Sequence, residues 1–131
     1  RRMKGLLFVM IGGGVGAGLR YGVGIASTRA FGIDFPWGTV ICNVAGSLAM
    51  GLFVGAMAHG LMGDSGRAQD ARLLLAVGLL GGFTTFSSFS LDALLLWERG
   101  EAALAAFYVL GSVAAGLGGF VLGLKLMRGA V

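Results

Sequence analysis

Four long apolar runs separated by short polar stretches set the pattern of this chain. They cover residues of about 4–29, 36–62, 73–97 and 102–127. A membrane-crossing helix takes about 20 residues, so each run is long enough to span a bilayer. The polar stretch around Arg29 to Asp34 closes the first run. Asp34 is then the expected N-cap of the second helix, and Pro36 fits its first turn, where an amide hydrogen is not needed. The most polar stretch, Gly63 to Arg72, reads as a loop with room for a helical turn. Glu98 to Glu101 form a tight connection, and Trp97 stands at interfacial depth. The third run departs from uniform apolarity at Gly81-Gly-Phe-Thr-Thr-Phe-Ser-Ser-Phe89. Unpaired backbone groups in hydrocarbon cost several kcal/mol each, so a break there survives only when buried in protein or lining a polar path. The pattern predicts an all-α membrane protein of four transmembrane helices in a single domain over residues 1–131, with the third helix broken mid-membrane.

Composition strengthens this reading. Mean hydropathy is +0.88, and 12% of residues are charged against about 25% in soluble domains. Glycine supplies 26 of 131 residues and proline one, with no collagen period or polar low-complexity tract. The glycines therefore read as packing residues. They recur at spacing four in Gly14, Gly18 and Gly22, in Gly51 with Gly55, and in Gly119 with Gly123, which flattens helix faces for close approach. So dense a bundle leaves no room for a wide channel inside one protomer, and assembly of at least two copies is expected. Arg1, Arg2 and Lys4 before Leu6 to Ile11 have the look of a secretory signal. Three further apolar runs make a first membrane helix the better reading.

The formal charge of +4 does not point to nucleic acid, because the basic residues lie at span ends without interleaved aromatics. Lipid headgroups are the expected contact. The termini and middle loop hold Arg1, Arg2, Lys4, Arg67, Arg72, Lys125 and Arg128, whereas the other loops hold Arg29 and Arg99. Counted alone, this favours termini inside. A lone Cys42 forms no intramolecular disulfide, and with a lone His59 it makes no zinc site. No nucleophile triad or dinucleotide-binding motif is present, so an enzyme is not expected.

Candidate chemistry lies within the spans. Arg20 costs at least about 2.5 kcal/mol at mid-membrane depth, so it either snorkels to headgroups or faces a watery vestibule that draws anions. Thr39 and Asn43 share a face of the second helix one turn apart. Tyr108 and Ser112 do the same on the fourth. Each pair alone is more often an ordinary helix contact. Phe86 and Phe89, beside Thr84, Thr85, Ser87 and Ser88, present ring edges whose positive partial charge solvates a small anion. Unwinding at Gly81 and Gly82 would free carbonyls able to hold a hard monovalent cation. Asp92 is the one acid expected inside a span. It is taken to pair with a basic group or to sit at the aqueous edge.

With Gly18-Leu-Arg-Tyr-Gly22, Gly38-Thr, Asn43, Gly46 and above all residues 81–89, the chain resembles the small bacterial fluoride channels of the Fluc or CrcB family over nearly its whole length. The resemblance implies an antiparallel, dual-topology homodimer in the bacterial plasma (inner) membrane, exporting fluoride passively through two narrow pores along the subunit interface. It further implies that Phe86 and Phe89 line the path and that Asn43 donates to the ion, with hydroxyls of Thr39, Thr85 and Ser87 beside them. Tyr108 and Ser112 would form a polar track, and Arg20 would shape the vestibule. Carbonyls of Gly81 and Thr84 from both copies would hold a structural Na+. The track departs from the family at Gly116, one turn beyond Ser112, where a further hydroxyl is expected. The alternative is a dual-topology proton-coupled small-molecule exporter, which would need a titrating membrane carboxylate; Asp92 is poorly placed for that task.

Overall fold

A computed structural model describes residues 1–130 and contains four helices long and apolar enough to cross a membrane. They are α1 (Arg2–Phe31), α2 (Trp37–Ala58), the composite third span (Ser65–Glu98), and a fourth within α6 (Ala102–Ala130). The third span comprises α3 (Ser65–Ala71), a π-helical stretch (Arg72–Leu80), α4 (Gly81–Phe83) and α5 (Phe86–Glu98).

Several local expectations change. Asp34 does not cap α2, which begins at Trp37 after Pro36 without a side-chain cap. The Asp34 carbonyl instead accepts a 2.7 Å hydrogen bond from Arg99 Nη2, tying the two loops at that end together. The polar stretch after Gly63 is mostly helical, because Asp64 Oδ1 accepts from the Arg67 amide at 2.9 Å and starts α3 as an N-cap. At this same end Lys4 Nζ meets Asp70 Oδ2 at 3.0 Å. The Lys- and Arg-rich segments are thus gathered at one end of the bundle, as the sequence count assumes.

Glycine governs the packing, although not always the glycines that spacing singled out. Gly14, Gly18 and Gly22 meet nothing and face outward. Their neighbours Gly12 and Gly16 are buried instead, and a methyl on either would collide with the backbone of the third span. Gly82 is pressed as closely against the backbone at Gly13. The π-helical stretch lies against this seam, with Gly78 packed on Gly12 and Val9. The other glycine pairs do meet: Gly51 approaches the Phe120 carbonyl, Gly123 the Leu48 carbonyl, and Gly55 lies under Met127. Accordingly α2 and α6 run parallel at backbone contact, in a register that also sets Thr39 beside Tyr108 and Ser47 beside Gly116. Gly51→Ala forces that seam apart and is expected to cost about 1–3 kcal/mol. Thermal unfolding in detergent checks this against Gly129→Ala, which lies in open space at the end of α6 and should leave the midpoint unchanged.

The protein core is small. Leu96, Ala105 and Tyr108 form a buried cluster flanked by Phe35, Val40 and Phe89. Leu, Val, Ile and Phe side chains cover the outside of all four spans. That surface suits acyl chains or a second protein surface rather than water.

Candidate functional site

The break in the third span lies at Thr84 and Thr85, not at the two glycines. Gly81 and Gly82 remain helical, and Gly82 is needed for close approach to α1. Thr84 (φ −89°, ψ 157°) and Thr85 (φ −153°, ψ 120°) are extended, a conformation that β-branched side chains favour.

Two extended residues at membrane depth leave backbone groups to be satisfied, and side chains do it. Asn43 on α2 makes a two-point bridge to the Thr85 peptide. Its Oδ1 accepts from the Thr85 amide at 2.7 Å, and its Nδ2 donates to the Thr85 carbonyl at 3.0 Å. Thr85 Oγ1 caps α5 by accepting from the Ser88 amide at 3.1 Å and lies 3.3 Å from Ser87 Oγ. Thr84 Oγ1 donates back to the Leu80 carbonyl at 2.9 Å. Much of the hydroxyl content of residues 84–88 thus builds the break itself.

On the α1 side, Arg20 Nε donates to the Gly82 carbonyl at 3.0 Å. The guanidinium therefore caps the carbonyl end of the first half-helix, which carries partial negative charge. Arg20 also lines a hollow of about 530 Å³ with Thr28, Arg29, Thr39, Thr85 and Ser88. Neither sequence reading of Arg20 foresaw the backbone bond, because it joins residues on different spans.

A second cleft, of about 480 Å³, opens between α2, the break and α6, and its lining includes Asn43, Thr85, Phe86, Phe89 and Ser112. Among the described residues no charged side chain lines it. Thr85 borders both the hollow and this cleft, so the break separates them. The rings of Phe86 and Phe89 lie 5.7 Å apart and tilted by 40°, and Phe89 continues onto Tyr108 at 5.2 Å. Phe86 is 79% exposed, so the cleft is open on its outer side. Ser112 Oγ is buried without a hydrogen-bond partner among the described residues. Such a group costs about 1–3 kcal/mol unless something binds it. α5 begins at Phe86, which lines the cleft, so the electropositive amide end of that helix borders it.

Thr39 and Tyr108 stand apart from that cleft's lining. Both hydroxyls donate to Asp92 Oδ2, at 2.7 and 3.1 Å. Asp92 therefore pairs with no basic group among the described residues; its half-buried carboxylate is satisfied by two hydroxyls and also lines a hollow beside the 32–38 loop at that end of the bundle. Sequence reasoning had both hydroxyls and the acid but not their meeting. Ser47, one turn beyond Asn43, also lines the cleft and was missed; the i, i+4 spacing that selected Thr39 and Asn43 would have found it.

The sequence profile of the family described as CrcB-like protein, Camphor Resistance (CrcB), matches residues 7–124. The chain is 51% identical over 129 residues to the "Fluoride-specific ion channel FluC" of Novosphingobium aromaticivorans, covering 97% of this chain and 98% of the relative. It is 54% identical over 126 residues to the protein of the same name from Methylobacterium nodulans, covering 96% and 98%. A third, from Rhodopseudomonas palustris, is 51% identical over 122 residues, covering 93% and 95%.

Proposed function

We infer the function from one premise: this chain belongs to the CrcB-like family, and its curated relatives are fluoride-specific ion channels. It is a multi-pass membrane protein that passes fluoride down its electrochemical gradient, a channel rather than an enzyme. The observation that carries this reading is a cleft lined by Asn43, Ser112 and the Phe86 and Phe89 rings and by no charged side chain among the described residues, with the Ser112 hydroxyl buried behind its wall and unpartnered. Fluoride holds its water tightly, so a path must replace that shell with donors and positive ring edges. Hydrofluoric acid crosses membranes uncharged and dissociates inside. A negative membrane potential then drives the trapped anion outward through the protein.

We also propose that the working unit is an antiparallel homodimer in the plasma (inner) membrane. The cleft is open at Phe86, and the adjoining face of α6 bears exposed Leu110, Val113, Leu117 and Val121. A second copy would close the cleft into a pore.

The Na+ reading has a physical basis in the break. In an unbroken helix the Thr85 amide would close on the Gly81 carbonyl, but it is given to Asn43. The Ser88 amide that would close on the Thr84 carbonyl is given to Thr85 Oγ1. Two hard oxygens are thereby released from the ladder at the negative end of a half-helix, the kind of donors a Na+ ion takes. A bound ion would offset their mutual repulsion where two copies meet.

The test is flux from liposomes. Purified protein should release fluoride rapidly, chloride far more slowly, and with no proton requirement. Slow flux strictly coupled to a pH gradient would favour the exporter reading through Asp92, and no halide flux would leave only a structural protein.

A further inference from the structure

We propose that Ser47 is a donor of the fluoride path in this chain, supplied by α2 where α6 has only Gly116. The inference rests on the channel reading above and extends it to a residue that reading does not use.

Because α2 and α6 run parallel in fixed register, each carries a column of positions one turn apart along their shared seam. On α2 the column is Thr39, Asn43 and Ser47; on α6 it is Tyr108, Ser112 and Gly116. The columns meet at Asp92, which accepts from both Thr39 and Tyr108. At the other end a methyl built on Gly116 would stand 3.6 Å from Ser47 Oγ. The hydroxyl missing from the α6 column is therefore present across the seam, at the same level. Ser47, Gly116 and the unpartnered Ser112 all line the cleft that holds Phe86 and Phe89.

The ordinary fate of a serine in a membrane helix is to bond back to its own backbone. Thr84 and Ser90 do so, donating to Leu80 and Phe86 carbonyls. Ser47 makes no such bond among the described residues, so its proton remains free for a ligand. The 3.6 Å spacing is ordinary van der Waals contact, so a Cβ at position 116 is accommodated, and it borders the open cleft into which a serine hydroxyl can extend.

Four proteins in liposomes test this: the parent, Ser47→Ala, Gly116→Ser and the double variant, each checked for the same elution profile in detergent. Loss of one donor to a dehydrated anion should lower fluoride flux about tenfold in Ser47→Ala. Adding Gly116→Ser should restore flux to within about threefold of the parent, because the hydroxyl returns from the opposite helix. A merely structural Ser47 would not be rescued this way. Parental flux in Ser47→Ala, or a loss that Gly116→Ser does not repair, overturns this inference alone. A parent without fluoride flux overturns the channel reading and this inference together.

Discussion

Phe86→Ile and Phe89→Ile should each lower fluoride flux by at least about 100-fold, the equivalent of roughly 2.7 kcal/mol on the barrier. Isoleucine keeps much of the apolar bulk but has no electropositive edge. If the rings act only as walls, the exchange should be tolerated; if their edges replace water around the anion, it should not be. The two positions differ in their cost to folding. Phe86 is 79% exposed and adds little to the protomer's core, so Phe86→Ile should leave stability nearly unchanged. Phe89 packs on Tyr108 at 5.2 Å beside the buried cluster, and Phe89→Ile should cost about 1–3 kcal/mol. Liposome efflux paired with thermal unfolding separates the two effects. Unchanged flux in both variants would remove ring edges from the explanation of conduction.

Asn43→Ala should be the most damaging single change to the break. The side chain serves both the amide and the carbonyl of Thr85, and each group left unpaired costs about 1–3 kcal/mol. The sum is a large part of the roughly 5–15 kcal/mol that holds an ordinary domain together. Flux should vanish for the same reason, since Thr85 positions α5 and with it Phe86 and Phe89. Amide hydrogen exchange followed by mass spectrometry supplies the check. The amide of Thr85 should exchange much faster in the variant while amides in the middle of α2 stay protected. Retained protection at Thr85 would mean that the break holds itself open without Asn43.

How much of this could be read from the chain depended on the range over which each feature is decided. The four spans follow from runs of apolar residues, and the break from nine consecutive positions, so both were legible. The i, i+4 columns on α2 and α6 were legible for the same reason. The sequence does not say which turn of a glycine-rich helix faces its neighbour. Gly12 and Gly16 face inward, whereas Gly14, Gly18 and Gly22 face out, because the rotation of α1 is fixed by the third span. The position of the break shifted from the glycines to the threonines because extended Thr84 and Thr85 find partners for their backbone, above all Asn43. The partners of Asp92 and Arg20, two hydroxyls and the Gly82 carbonyl, were not legible because they lie on other spans. Asp34 was misjudged because Pro36 sets the start of α2 two residues later than a capping rule assumes.

The contact of α2 with α6 has a consequence for selectivity. Gly51 and Gly123 bring main chain against main chain, so the gap between the two helices is set by atoms that have no rotamers to change. The wall that α2 and α6 give the cleft therefore cannot part easily, and only its other sides, at the break and toward a second copy, are free to adjust. Rejection of chloride would then draw on this fixed main-chain wall as well as on the donors, which must stay at a spacing set for the smaller ion.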